Sequence, residues 1–144
     1  MNLRKSLFLI IAVLMVLPLF AIPREAEAAA GRRIIVDISD QRVYVYNGAT
    51  LVKSIPANAR GTRGGTFRIR NKIPMAKSYV LGWQLPYWMG IYMSGGLENG
   101  FHGTAITRNG GRASNSLGCI VMNTANAKWL FSWARVGTPV TVRR

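Results

Sequence analysis

The sequence predicts a mainly β domain with at least one helix towards its C-terminus. Three observations carry that prediction. β-branched and aromatic residues concentrate in short runs, an Asn-Gly pair separates two of those runs, and one stretch has helical spacing with a cap at each end. The first run is "RRIIVDIS". In "QRVYVYNGATLVKSI", Val43, Tyr44, Val45 and Tyr46 precede Asn47-Gly48, and Leu51 and Val52 follow it. Asn-Gly there predicts a hairpin, because both residues accept the positive φ of a tight turn. "ARGTRGG", residues 59–65, reads as a glycine-rich loop, and "TFRIR" as the next strand, with Phe67 and Ile69 on one face. "YVLGWQLPYWMGIYM" is aromatic, apolar and broken by Gly82, Pro86 and Gly90. It fits core strands, or a cleft wall carrying Trp83, Tyr87 and Trp88, and packing accounts for most of these side chains. The helix is "TANAKWLFSWARVG". Asn123 or Thr124 caps its start, Gly137 ends it, and Trp129, Leu130 and Trp133 share a face. "TPVTVRR" closes the chain as a strand.

Residues 1–30 read as a segment apart from this domain. Arg4 and Lys5 precede an uncharged apolar run from Leu7 to Ile22, and "PREAEAAAG" follows with small residues at Ala26, Ala28 and Ala30. That order is the layout of a secretory signal peptide, with cleavage after Ala28 or Ala30. The alternative is an uncleaved membrane anchor. Against it, the run is shorter than the ~20 residues of a spanning helix, and Pro18 interrupts it. Residues 31–144 then form one domain, exported to a periplasm or to a cell wall.

The chain carries 19 Lys and Arg against five acids, a formal net charge of +14. Beyond residue 30 the acids are Asp37, Asp40 and Glu98. Such a field favours anionic partners. Export argues against nucleic acid and leaves anionic cell-wall polymers, although the basic residues are scattered and define no single patch. Nothing in the sequence calls for an oligomer, and a monomer is expected.

His102 and Cys119 are the only histidine and the only cysteine in the chain. Both lie in "FHGTAITRNGGRASNSLGCIVMN", each beside a glycine. Outside the cytoplasm a lone cysteine is an intermolecular bridge, a buried inert thiol or a reactive nucleophile. A free thiol is mostly protonated at neutral pH, and an imidazole can take its proton and make the nucleophile. In "SLGCI", amide N–H groups around Gly118 and Cys119 can converge on a developing oxyanion. A cysteine–histidine acyl-transfer site is therefore coherent. A metal site is not, because zinc requires three or four Cys, His or acidic ligands and the chain has few to offer.

These motifs resemble the L,D-transpeptidase catalytic domain. "HGT" followed by "SLGCIVMN" resembles the family's His-Gly and Ser-x-Gly-Cys signature. "IIVDISDQRVYVYNGATLVKSIPANAR" resembles its opening hairpin. "GTRGGTFRI" resembles its glycine-rich loop and strand, with Arg63 in a proline position. "LPYWMGI" resembles its Met-Pro-Tyr segment, and "GTPVTV" its final strand. The resemblance implies a mainly β fold of mixed, sandwich-like sheets with a C-terminal helix, and no cofactor. It implies Cys119 as nucleophile, His102 as proton acceptor and donor, and Gly118 as an oxyanion N–H donor. Ser116 takes the family's serine position, and the Gly103 carbonyl is the implied group orienting His102. Tyr87 and Asn123 are the candidate substrate-binding residues. The implied substrates are peptidoglycan stem peptides, cut before a terminal D-alanine through a thioester on Cys119.

Two positions depart from the family pattern. Leu117 stands where many members have His, Lys or Arg, and Val121 where many have Arg or Asn. An Asn or Arg at position 121 is expected to brace the loop or meet substrate, so Val121→Asn is expected to be neutral or favourable. The same two residues favour the rival reading, a non-catalytic basic module that binds cell wall. A secreted cysteine L,D-carboxypeptidase, with water as acceptor, is the second rival.

Overall fold

The structure, a computed structural model, describes residues 31–144. The signal-peptide expectation for residues 1–30 lies outside the described residues. Two mixed β-sheets pack face to face, with one helix closing an end of the core, as the sequence predicts.

The first sheet is built from β1 (Arg32–Asp37), β2 (Arg42–Asn47), β3 (Thr50–Pro56), β4 (Gly65–Arg68) and β11 (Pro139–Arg143), in the order β3-β2-β1-β11-β4. β1 and β11 run parallel and the other pairs antiparallel. Alternation sends Ile34, Val36, Val43, Val45, Val140 and Val142 into the core. The hairpin forms, but its turn sits one residue later than predicted. Asn47 pairs with Thr50, so Gly48 and Ala49 are the central residues, and only Gly48 has positive φ, at 59°. That suits a turn needing left-handed φ at its first central position alone. A bulge between Val45 and Tyr46 absorbs the offset.

The second sheet contains β5 (Asn71–Lys77), β6 (Gln84–Ser94), β7 (Leu97–Gly103), β8 (Ala105–Ile106), β9 (Arg112–Ala113) and β10 (Ile120–Met122). β6 is its long central strand, flanked by β5 on one edge and by β7 and β8 on the other. Sequence patterning missed β5, because Pro74 cannot donate to a ladder. Pro74 is tolerated since β5 pairs with β6 alone. Met89, Ile91, Phe101, Ile120 and Met122 supply this sheet's half of the core.

Helix α1 (Thr124–Trp133) packs across β6 and β7 with Ala127 and Leu130 fully buried. Asn123 is its N-cap, and its Oδ1 accepts the Asn126 N–H at 2.8 Å. The helix stops at Trp133, short of the predicted Gly137. Its last carbonyls are taken by cations from both sheets. Arg32 donates to the Trp133 carbonyl at 2.8 Å, and Lys72 Nζ to the Ala134 carbonyl at 2.7 Å. These bonds satisfy orphan carbonyls and complement the helix dipole, so the chain can leave early. Trp129 and Trp133 are only partly buried and stack on each other, with centroids 6.1 Å apart.

Leu130 is fully buried in the core the two sheets share. Leu130→Ala is expected to cost about 2–5 kcal/mol of stability, read as a lower urea midpoint with an unchanged slope. A loss below about 1 kcal/mol would mean that α1 is not held by this contact.

Candidate active site

Two strands bring the histidine and the cysteine together. β7 carries His102, and β10 begins at the residue after Cys119. The strands are parallel, with Phe101 opposite Ile120, His102 opposite Val121 and Gly103 opposite Met122. His102 and Cys119 both line a shallow, solvent-open cleft. Its other walls are Ser78, Leu81, Trp83, Leu85, Ala105, Asn115 and Leu117. The walls are largely apolar, and Leu117 on the rim is 73% exposed.

The His102 ring is almost fully buried, with 5% exposure. Its Nδ1 lies 2.6 Å from the Gly103 carbonyl oxygen. A carbonyl only accepts, so Nδ1 carries the proton and Nε2 keeps its lone pair. Burial lowers the imidazole pKa below its ordinary value, and the Gly103 bond opposes that shift in part. The resting ring is therefore a neutral base. Among the described residues no carboxylate bonds to it. Trp88 lies nearly parallel behind it, with centroids 6.1 Å apart and ring planes at 21°.

Burial raises the Cys119 thiol pKa above its ordinary value, against a lowering contribution from the Gly100 N–H. Cys119 Sγ lies 3.7 Å from Asn99 Oδ1, which accepts its S–H weakly. Each group is thus favoured in its neutral form, and the resting site is a thiol beside an imidazole rather than an ion pair. Below the ordinary imidazole pKa the unfolded chain takes up a proton that buried His102 resists, so stability falls as pH drops. Above the ordinary thiol pKa the unfolded chain releases a proton that Cys119 retains, so stability falls as pH rises.

The turn before Cys119 is clamped from three directions. Tyr92 donates its hydroxyl proton to the Gly118 carbonyl at 3.1 Å and accepts the Arg63 N–H at 3.0 Å. Thr62 Oγ1 donates to the Cys119 carbonyl at 3.3 Å. Ser116 Oγ lies 2.8 Å from the Arg60 carbonyl and also contacts the Cys119 carbonyl, while accepting the Gly118 N–H at 3.2 Å. In a trans peptide the N–H points opposite to the C=O. With the Gly118 carbonyl held by Tyr92, the Cys119 N–H must face away from that hydroxyl. Gly118 has φ of 120°, and an added Cβ would sit 2.8 Å from Asn99 Oδ1, so glycine is required there twice over.

A family model, YkuD, described as the L,D-transpeptidase catalytic domain, matches residues 31–142. The chain belongs to the L,D-transpeptidase catalytic domain family. Solved structures share its fold. The L,D-transpeptidase from Mycobacterium smegmatis matches with 22% identity and a TM-score of 0.62, over 79% of this chain and 59% of that one. The L,D-transpeptidase from Stackebrandtia nassauensis matches with 22% identity and a TM-score of 0.63, over 79% and 56%. The L,D-transpeptidase LdtMt1, in complex with imipenem, matches with 24% identity and a TM-score of 0.62, over 78% and 59%. The chain spans less than two thirds of the length of these neighbours. No curated protein matches it significantly.

Within this family fold the site residues named from sequence fall into two groups. His102, Gly103, Ser116, Gly118 and Cys119 come together at the cleft and the turn beneath it. Of these, the Gly118 N–H is already engaged by Ser116 Oγ. The candidate substrate residues lie elsewhere. Tyr87 packs edge-on against Phe131 of α1, at 5.7 Å between centroids, and the Asn123 amide caps α1. The three aromatic candidates of the cleft wall also separate: Trp83 lines the cleft, Trp88 backs His102 and Tyr87 faces the helix. Leu81, Leu85, Asn99 and Asn115 escaped the sequence reading. Nothing in their types marks them, and only the parallel register puts Asn99 beside Cys119.

Val121 lies opposite His102 in the β7–β10 register. It is 2% exposed, and its N–H and C=O both pair with Asn58, at 2.9 and 2.7 Å. The side chain is buried on the His102 face, so Val121→Asn buries an amide and is expected to cost about 1–3 kcal/mol, measured by chemical denaturation. An unchanged midpoint would contradict that burial. The neutral pair also predicts how Cys119 reacts. Its alkylation rate with iodoacetamide is expected to keep climbing beyond about pH 8.5, the ordinary thiol range. A plateau reached by pH 7 would reveal a thiolate–imidazolium pair instead.

Proposed function

We propose that this protein is an exported L,D-transpeptidase that acts on peptidoglycan stem peptides through a thioester on Cys119. The observation that carries the reading is the shared cleft of His102 and Cys119, with His102 Nδ1 held by the Gly103 carbonyl and Nε2 left as base. LdtMt1 forms a complex with imipenem and the similar Ldtfm a carbamoyl enzyme with avibactam, which supports an acylating chemistry here. The high positive charge supports attachment to anionic wall polymers.

In the proposed reaction the donor's L-to-D peptide bond lies against Cys119. His102 Nε2 takes the thiol proton as sulfur attacks the carbonyl carbon. The Cys119 N–H meets the oxyanion, joined by the Gly118 N–H once Ser116 releases it. The imidazolium then protonates the departing D-alanine nitrogen, and a thioester remains. An acceptor amine attacks the thioester, His102 takes its proton, and the returning proton restores the thiol. Neutral starting groups suit this sequence, because charge appears only as the bond forms.

Imipenem is expected to add one molecule to the protein, seen by intact mass spectrometry, and the adduct should be absent from Cys119→Ala. His102→Ala should acylate far more slowly at neutral pH and recover part of the loss by pH 9.5, where the thiol begins to ionise unaided. Equal rates for His102→Ala and wild type at pH 7 would remove His102 as the base. An unmodified wild type would remove the acyl-enzyme.

A further inference from the structure

We infer that Glu98 is a positioning residue for His102, acting through Asn71 and Trp88. The inference rests on the reading of His102 as the base. Glu98 lies on β7, four residues before His102, and touches neither His102 nor Cys119 in any recorded bond. Its two carboxylate oxygens both accept from Asn71 Nδ2, at 2.9 and 2.8 Å. An amide has one accepting and one donating end, and a carboxylate only accepts. Glu98 therefore fixes which way the Asn71 amide faces. Asn71 Oδ1 is thereby turned to accept the Trp88 indole N–H at 3.1 Å and the Gly90 N–H at 3.4 Å. A flipped amide would set NH₂ against N–H. The anchored indole is the nearly parallel ring behind His102.

The strands reserve space for this arrangement. Gly90 pairs with both Asn71 and Gly100, and an added Cβ at Gly90 would lie 2.4 Å from the Glu98 carboxyl carbon. The glycine is thus the floor on which the carboxylate rests. Arg70 also approaches Glu98, at 3.7 Å, but it is half exposed and adds little. The Gly103 bond fixes one edge of the imidazole. Trp88 limits the tilt of its plane, which sets where Nε2 points. In this way a carboxylate two side chains removed orients a histidine that bonds to no acid among the described residues.

His102 is the chain's only histidine, so its ring protons give one set of imidazole resonances. The test is to titrate those resonances by NMR and to measure imipenem acylation in Glu98→Ala, Glu98→Gln, Trp88→Phe and the Glu98→Ala/Trp88→Phe double variant. Glu98→Ala is expected to slow acylation about tenfold or more and to move the His102 titration towards the ordinary value. Glu98→Gln, which can still accept one Asn71 N–H, should restore part of the rate. Trp88→Phe keeps a ring but loses the anchor and should slow acylation similarly. The double variant should fall no further than the slower single, since the residues act as one chain. Arg70→Ala should stay within about twofold. Unmoved His102 resonances in Glu98→Ala, or single effects that simply add, would overturn the inference. If Glu98→Ala does not fold, Asn71→Leu removes the link at nearly constant volume, and the same two readouts decide. A wild type that imipenem does not acylate would defeat the proposed function, while the NMR titration would still decide the positioning.

Discussion

Three residue pairs hold β10 parallel to β7, and every distance at the site inherits that register. Parallel strands need a long crossover, and here the crossover is the glycine- and serine-rich stretch between His102 and Cys119. Shifting the register by one residue would turn Cys119 to the opposite face of the sheet from the imidazole. Glycines permit the close approach. A Cβ on Gly100 would sit 2.1 Å from the Met89 carbonyl oxygen, and one on Gly103 would sit 3.1 Å from Thr124 Cα. β6, β7 and the helix start therefore meet at a spacing that larger residues would break.

Around that register the protein spends its polar groups on holding backbone. Tyr92, Thr62 and Ser116 grip the carbonyls of Gly118 and Cys119, and Gly103 grips the imidazole. Each of these bonds fixes an orientation without adding a charge at the cleft. The result is a neutral site in which burial lowers one pKa and raises the other. Such a site resists spontaneous ionisation of the thiol and leaves proton transfer to coincide with attack on substrate. The apolar walls from Leu81, Trp83, Leu85 and Leu117 strengthen any hydrogen bond formed once substrate excludes water.

The charge that dominates the composition plays a different part. Arg32 and Lys72 reach from opposite sheets to the last carbonyls of α1, and Arg32 and Lys53 also lie over Trp133 and Trp129. These cations use their stems and heads to close the edge of the core where the indoles are only partly buried. Some of the basic residues are thus structural, and the net charge overstates how many are free for an anionic polymer.

The amino-acid sequence by itself determined the mainly β class, the opening hairpin, the helix start at Asn123 and the pairing of one thiol with one imidazole. These are local signals: period-two alternation, a turn dipeptide, a capping side chain and the scarcity of other chemistry. Tertiary structure alone decided the rest. Pro74 hid β5 because a strand that pairs on one side can do without an N–H. The helix ended before Gly137 because cations distant in sequence took its carbonyls. Val121 is buried beside the imidazole because β10 lies along β7 and Asn58 covers its other edge. Asn99 and Glu98, unremarkable beside the histidine in sequence, gained their places from β10 and β5 laid along β7 and β6. Each of these depends on which strand lies next to which, and that is fixed by burial and hydrogen bonding across distances no local pattern encodes.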